Sequence, residues 1–284
     1  KMIVSVPTGE LVQPRTGKPQ PPTPLDGQPL AYEATADRRV ALADWLTARD
    51  NPYFARAITN RVWANFLGVG LVEAVDDVRL TNPASNEPLL AAAAEYLVEQ
   101  RFDLKALMRA ILQSQTYQRS SQTLSENRAD QRFYSRFYPR RIMAEALLDA
   151  ISTVAAAPSE FPGYAAGWRA LQLPDANVNS YFLRAFGRPV RVLTCECERT
   201  SQPSMVQVLH ISNGDTLNQK LAAKGNRIDA LRNSGAMPEQ IVDELYLAAF
   251  SRWPTPSERQ QAAAALVDPA EPDQRVLLED LFWS

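Results

Sequence analysis

The densest reactive chemistry in the chain lies in six consecutive residues, Thr194-Cys195-Glu196-Cys197-Glu198-Arg199. Two thiols two positions apart alternate with carboxylates, and in extended backbone both sulfurs fall on one face and both glutamates on the other. Three chemistries are open to such a pair. Reduced, the cysteines pack as small apolar side chains. Oxidised, they bridge as Cys195–Cys197, which needs a strained local backbone and an oxidising compartment. Deprotonated, they offer two thiolates to a soft metal. Met205 and His210 then supply a thioether and an imidazole, a set that suits copper better than magnesium or calcium. The spacing Cys-x-Cys-x7-Met-x4-His matches no strong metal signature.

His210 is the one imidazole in the chain. General-base chemistry through histidine therefore has a single candidate, with carboxylates as substitutes. The alternative is a half-buried ring holding a backbone carbonyl. Asp76 and Asp77 form a carboxylate pair able to bind a hard cation or share a proton, or to pair with the nearby Arg79. Arg140 and Arg141 close an aromatic–basic run that begins at Phe133, Tyr134, Phe137 and Tyr138. Such a cluster binds sugars, anions or a partner loop, or anchors structure through arginines stacked on rings.

Composition narrows the classes. One histidine and two cysteines cannot build a multi-cysteine zinc framework, a disulfide-dense scaffold or a His-rich metal cage. Thirty basic against 32 acidic residues leave a formal charge of −2, with no electrostatic pull toward nucleic acid. There is no Gly-x-Ser-x-Gly elbow, no Walker loop, no Gly-x-Gly-x-x-Gly and no Cys-x-x-Cys-His haem attachment. No apolar stretch approaches the ~20 residues of a membrane span. At 45% hydrophobic and 22% charged, the chain has the make-up of a packed globular protein.

The elements that must position these residues are mostly helices. Met2–Val6 and Glu10–Gln13 read as the arms of a hairpin around Pro7-Thr8-Gly9. Pro14, Pro19, Pro21, Pro22 and Pro24 then demand an extended arm. Helices are predicted from Asp37 as N-cap, from Asn51-Pro52 as N-cap and N1, over 86–100, 103–117 and 143–156, from Ser204 with a kink or break at Gly214, over 241–250, behind the capping box Thr255-Pro256-Ser257-Glu258, and from near Gln274. Trp168–Leu173 and Val190–Thr194 read as two short strands that pair. The expected fold is mainly α: a multi-helix assembly with an N-terminal β-hairpin and proline arm over 1–36. A helical domain over 37–284 follows, carrying an irregular insert at 157–203 and a small central β element. The insert is the expected site region. Both ends read as cut from a longer chain.

The ordered runs Arg38–Leu46, Asn51–Arg56, Asn60-Arg61-Val62-Trp63, Val75–Pro83, Phe137–Arg141, Cys195–Arg199, Asn213-Gly214-Asp215 and Pro254-Thr255-Pro256 resemble the planctomycete PSD-type domain of unknown function. The resemblance spans essentially the whole chain. It marks Asn60, Arg61, Asp76, Asp77, Arg140, Arg141, Cys195, Cys197, Glu198, Arg199 and Asn213 as family-typical positions, with no catalytic role attached. It implies an extracytoplasmic (periplasmic or secreted) setting, at the C-terminal end of a large protein that also carries a cytochrome-c-like domain. Haem is then expected only in that separate domain, which is the implied partner. An exported chain need not keep thiols reduced, which favours the disulfide or the metal over buried thiols.

Three functions are compatible with these readings. The first is a substrate- or partner-binding module of a cytochrome-linked protein. The second is an oxidoreductase or carbohydrate-active enzyme with a site built from Cys195, Cys197, His210 and the Asp76–Asp77 or Arg140–Arg141 loops. The third is an interaction scaffold using the proline arm.

Overall fold

Short polar side chains decide where the first helices begin. Asp37 accepts from the Arg39 N–H and opens α1 (Arg38–Leu46). Asn51 accepts from the N–H groups of Tyr53 and Phe54, both at 2.9 Å, so it ties down the entry to α2 as expected. The regular helix nevertheless starts two residues beyond Pro52, at Phe54, and runs to Leu67, where Gly68 takes the left-handed conformation (φ 83°). Asn86 caps α3 (Glu87–Glu99), and Asp103 caps α4 (Leu104–Gln113). The fourth helix is shorter than its periodicity predicts. The Ser114 hydroxyl donates to the Ile111 carbonyl and accepts from the Tyr117 N–H, and this local competition ends the helix at Gln113.

The computed structural model describes residues 11–30, 37–174, 176–192, 198–200, 202–267 and 273–284. It is mainly helical, with a small antiparallel sheet near the N-terminus. The chain divides into two compact units, Lys1–Arg140 and Arg141–Ser284. In the first, α2, α3 and α4 close on a core that includes Val62, Trp63, Leu67, Leu90, Leu97, Leu107 and Ile111. Tyr134 joins that core with its ring edge against Trp63 (5.5 Å, 82°), and its hydroxyl donates to the Val69 carbonyl. Burial pushes its phenol up to about 12. Arg136 lies over the Tyr138 ring at 5.1 Å, so this part of the aromatic–basic run anchors structure.

A small antiparallel ribbon forms where the proline arm begins. Strand β1 (Leu11–Val12) runs antiparallel to β2 (Pro19–Gln20), with Leu11 opposite Gln20. The turn between them is closed by Gln13 N–H to the Lys18 carbonyl, with Gly17 at φ 66°. A proline is tolerated because a two-stranded ribbon has only edges. Met2–Val6, expected as the first arm, lies outside the described residues.

In the second unit α5 (Ala144–Ala155) is the organising helix. The segment after it folds back so that Phe161, Ala170, Leu173, Val178, Phe182 and Phe186 pack against Ala144 and Leu148. Within Trp168–Leu173, Ala170–Gln172 is a single 3-10 turn and not the expected strand. The cause is distant in sequence: both carboxylate oxygens of Asp149 accept from the Ala170 and Leu171 N–H groups, at 2.7 and 3.1 Å. A short helix, α6 (Tyr181–Ala185), follows behind the Ser180 cap.

Gly214 breaks the next helix into α7 (Met205–Asn213) and α8 (Asp215–Ala222). Then come α9 (Arg227–Ser234), which the sequence pattern did not mark, and α10 (Pro238–Phe250). Behind them stand α11 (Pro256–Ala265) and α12 (Gln274–Trp283). The capping box at Thr255 and Glu258 forms as expected. These helices share a core of Leu221, Ile228, Leu231, Ile241, Val242, Leu266 and Leu278. Among the described residues no helix is long and apolar enough to cross a membrane.

Candidate functional site

The single imidazole sits at a helix break. Ser204 and Gln207 form a capping box that fixes the start of α7, and His210 lies in its last turn. The His210 carbonyl accepts from the Gly214 N–H at 2.8 Å. A Cβ on Gly214 would collide with that carbonyl oxygen and stand 2.6 Å from ring Nδ1. Glycine is required there by close approach, since its φ of −79° is ordinary. Across the break, Nε2 hydrogen-bonds the Thr216 hydroxyl at 2.9 Å. Aromatic rings surround the remainder, with Tyr181 at 5.2 Å, Phe182 at 5.6 Å and Phe186 at 6.1 Å between centroids.

His210 and Thr216 line one wall of a cavity of about 490 Å³. The rest of the lining is apolar: Leu147 and Ile151 from α5, Leu217 from α8, Phe250 from α10, and Phe282 and Trp283 from α12. A greasy chamber with one imidazole and one hydroxyl has the composition of a small-molecule site, in which a few polar groups orient an apolar body.

Arg141, Glu198 and Arg199 belong to a second, charged arrangement in the same unit. Glu145, in the first turn of α5, is buried and takes two hydrogen bonds from Arg199, both at 3.0 Å. Arg188 approaches the same carboxylate at 3.4 Å. Burial works against the charged form of Glu145, yet the Arg199 hydrogen bonds and the field of Arg188 outweigh it, and its pKa lies below the ordinary 4.5. Arg141 donates to the Gln202 carbonyl and to Gln207 Oε1, while Gln207 donates to the Ala185 carbonyl. The Glu198 carboxylate accepts from the Val192 N–H at 3.1 Å, bridging the two ends of the 193–197 run. Cys195 and Cys197 themselves lie outside the described residues.

Of the soft-metal set, Met205 and His210 are described. They are five residues apart on one helix, about 140° around its axis. Met205 is 70% exposed, whereas His210 turns into the cavity wall. The helix therefore presents thioether and imidazole in different directions.

The remaining family-typical residues lie in the first unit, except Asn213, which ends α7. Asn60 on α2 is fully buried, donates to the Val72 and Val75 carbonyls and accepts from the Val72 N–H, all at 2.9 Å. Arg61, one residue on, pairs with Asp76. Asp77 pairs instead with Arg79 at 2.5 Å, which holds its carboxyl below the usual range. The two aspartates are thus drawn to different arginines. Asn82 donates to the Glu73 and Asp77 carbonyls. Arg140 is exposed and passes beside Gly68.

Sequence reasoning missed Glu145 and Thr216. The signal for Glu145 was a lone carboxylate among the apolar residues Ala144, Ala146, Leu147 and Leu148. Thr216 carried none beyond its place two residues after Gly214.

A family model described as PSD1, protein of unknown function (DUF1553), matches residues 38–266, and the chain belongs to that family. No curated protein and no solved structure matches it.

Proposed function

We propose, from membership of this family and from the cavity at His210, that the domain is a binding module. Its ligand has an apolar body and a single hydrogen-bonding group. The observation that carries this reading is the lone imidazole set in an otherwise apolar chamber of about 490 Å³, a size within the usual range for small-molecule sites. The imidazole offers a ring nitrogen whose role depends on its tautomer, and Thr216 holds Nε2 in place. The ligand's polar group meets these two, while Leu147, Phe250 and Phe282 pack against its body.

The setting follows from the resemblance. We place the module outside the cytoplasm, in a protein of planctomycete type whose c-type haem is carried by a separate cytochrome-c-like domain. Staining the native host's exported fraction for covalent haem, in the band recognised by an antibody to this chain, tests that placement. A haem-free band would remove the cytochrome link.

Binding is tested with p-cresol, which joins an apolar ring to one hydroxyl. Titration calorimetry on the 284-residue chain should give saturable binding at one site, with a Kd on the order of 0.1 mM for so small a ligand. His210→Phe should weaken it about tenfold, the worth of one good hydrogen bond. Binding unaffected by His210→Phe, or none at millimolar ligand, overturns the reading.

A further inference from the structure

A second cavity of about 410 Å³ opens between α5, α6 and α8, and Thr216 and Phe182 line both chambers. This one is polar. Ser159, Glu160, Ser180 and Gln219 contribute to its lining, and so does Lys220. Lys220 is only 7% exposed, unusual for a lysine. Lys18, Lys105 and Lys224 are all exposed.

The amine is held at a defined point. Nζ donates to the Ala157 carbonyl at 2.7 Å, beyond the C-terminal end of α5. The backbone carbonyl of Lys220 is fixed in turn by the buried Asn226 side chain at 3.0 Å. An ammonium carries three N–H donors, and among the described residues Ala157 is the acceptor that Nζ reaches. Burial lowers the pKa of this amine, with the charge of Asp149 opposing that shift. A desolvated lysine facing a roomy polar cavity is the arrangement that makes an amine nucleophilic.

We propose that Lys220 captures a small polar carbonyl compound, a hydroxylated aldehyde or ketone, as an imine in this cavity. The nitrogen lone pair attacks the carbonyl carbon, and a proton passes from nitrogen to oxygen to give the carbinolamine. The hydroxyl then departs as water together with the second nitrogen proton, and the C=N bond forms. Nothing is oxidised or reduced. Glu160 supplies a carboxyl group in the same wall for the proton transfers, and Ser159, Ser180 and Gln219 face the ligand's hydroxyl groups.

The test is site-resolved reductive trapping. The full chain is incubated with glycolaldehyde and sodium cyanoborohydride near neutral pH, and modification at each lysine is followed by peptide mass mapping. Lys220 should be trapped at least about tenfold faster than Lys105 or Lys224, because burial leaves more of its amine uncharged and the cavity holds the aldehyde beside it. Its pH–rate curve should also level off at lower pH than theirs. In guanidinium the preference should vanish. A rate at Lys220 equal to or below that of the exposed lysines overturns the proposal, as does a preference that survives unfolding. Because the comparison is made within one wild-type chain, it needs no variant that might fail to fold.

Discussion

Arg199 grips Glu145 with two parallel N–H···O bonds of 3.0 Å, and Arg188 stands 3.4 Å from the same carboxylate. This ties the residue that follows the two-cysteine run to the first turn of α5. Removing one partner of such a buried pair leaves the other charge uncompensated, so Glu145→Ala should cost about 3–5 kcal/mol of unfolding free energy. The double variant Glu145→Gln with Arg199→Met should lose less than the two single changes added together. Guanidinium titrations of the wild type, Glu145→Ala, the two single variants of the cycle and the double variant check both statements, and additive losses would sink the idea that these groups act as a pair.

The same pair sets a pH dependence. The folded pKa of Glu145 lies below its ordinary 4.5. Its contribution is therefore complete above the unfolded value and is lost as pH falls through the folded one. Stability should decline below about pH 4.5 more steeply in the wild type than in Glu145→Gln. Equal slopes over that acid range would remove Glu145 as a source of the decline.

Asn60 is the corresponding keystone of the first unit. Its amide uses two donors and one acceptor on the backbone of Val72 and Val75, which no other side chain reproduces. Aspartate has the shape but cannot donate, and alanine leaves the carbonyls orphaned. Both Asn60→Ala and Asn60→Asp should cost about 3 kcal/mol. Amide exchange across residues 70–76 should accelerate in both. Protection unchanged in that loop would show that Asn60 does not hold it.

What the sequence made legible was local chemistry. Asp37, Asn86, Asp103 and the Thr255–Glu258 box bond backbone groups two or three residues away, so their spacing alone announces them. The misreadings have other causes. The end of α4 is set by a hydroxyl that bonds across its last turn, and the turn at Ala170–Gln172 is dictated by Asp149, twenty-one positions earlier. The same holds for the site. His210 stood out by rarity, but its cavity is assembled from α5, α6, α7, α8, α10 and α12, a convergence no spacing records.

Gly214 gives a direct handle on that cavity. Gly214→Ala places a methyl group against the His210 carbonyl and within 2.8 Å of the ring carbon Cγ. The ring must move, breaking the Nε2–Thr216 contact. A stability loss of about 1–3 kcal/mol is expected from the overpacking. Affinity for p-cresol should fall at least as far as in His210→Phe. Unaltered affinity with a shifted midpoint would mean that the imidazole's position is irrelevant to binding.

The cysteines can be decided by mass and metal together. Glu198 meets the Val192 N–H on one side of the run, and Arg199 is locked to Glu145 just beyond it, so both flanks are anchored whatever the sulfurs do. If the chain is exported, as proposed above, a bound soft metal or a Cys195–Cys197 bond is the expected state. Iodoacetamide applied without reductant to the protein purified from its native compartment should leave both residues unmodified. If a reductant releases them from protein that contains no metal, the pair is a disulfide. If a copper chelator releases them and the metal appears in stoichiometric amount, it is a metal site. Two carbamidomethyl groups added at once, with no metal, would return both cysteines to the role of small apolar side chains and remove redox chemistry from this run.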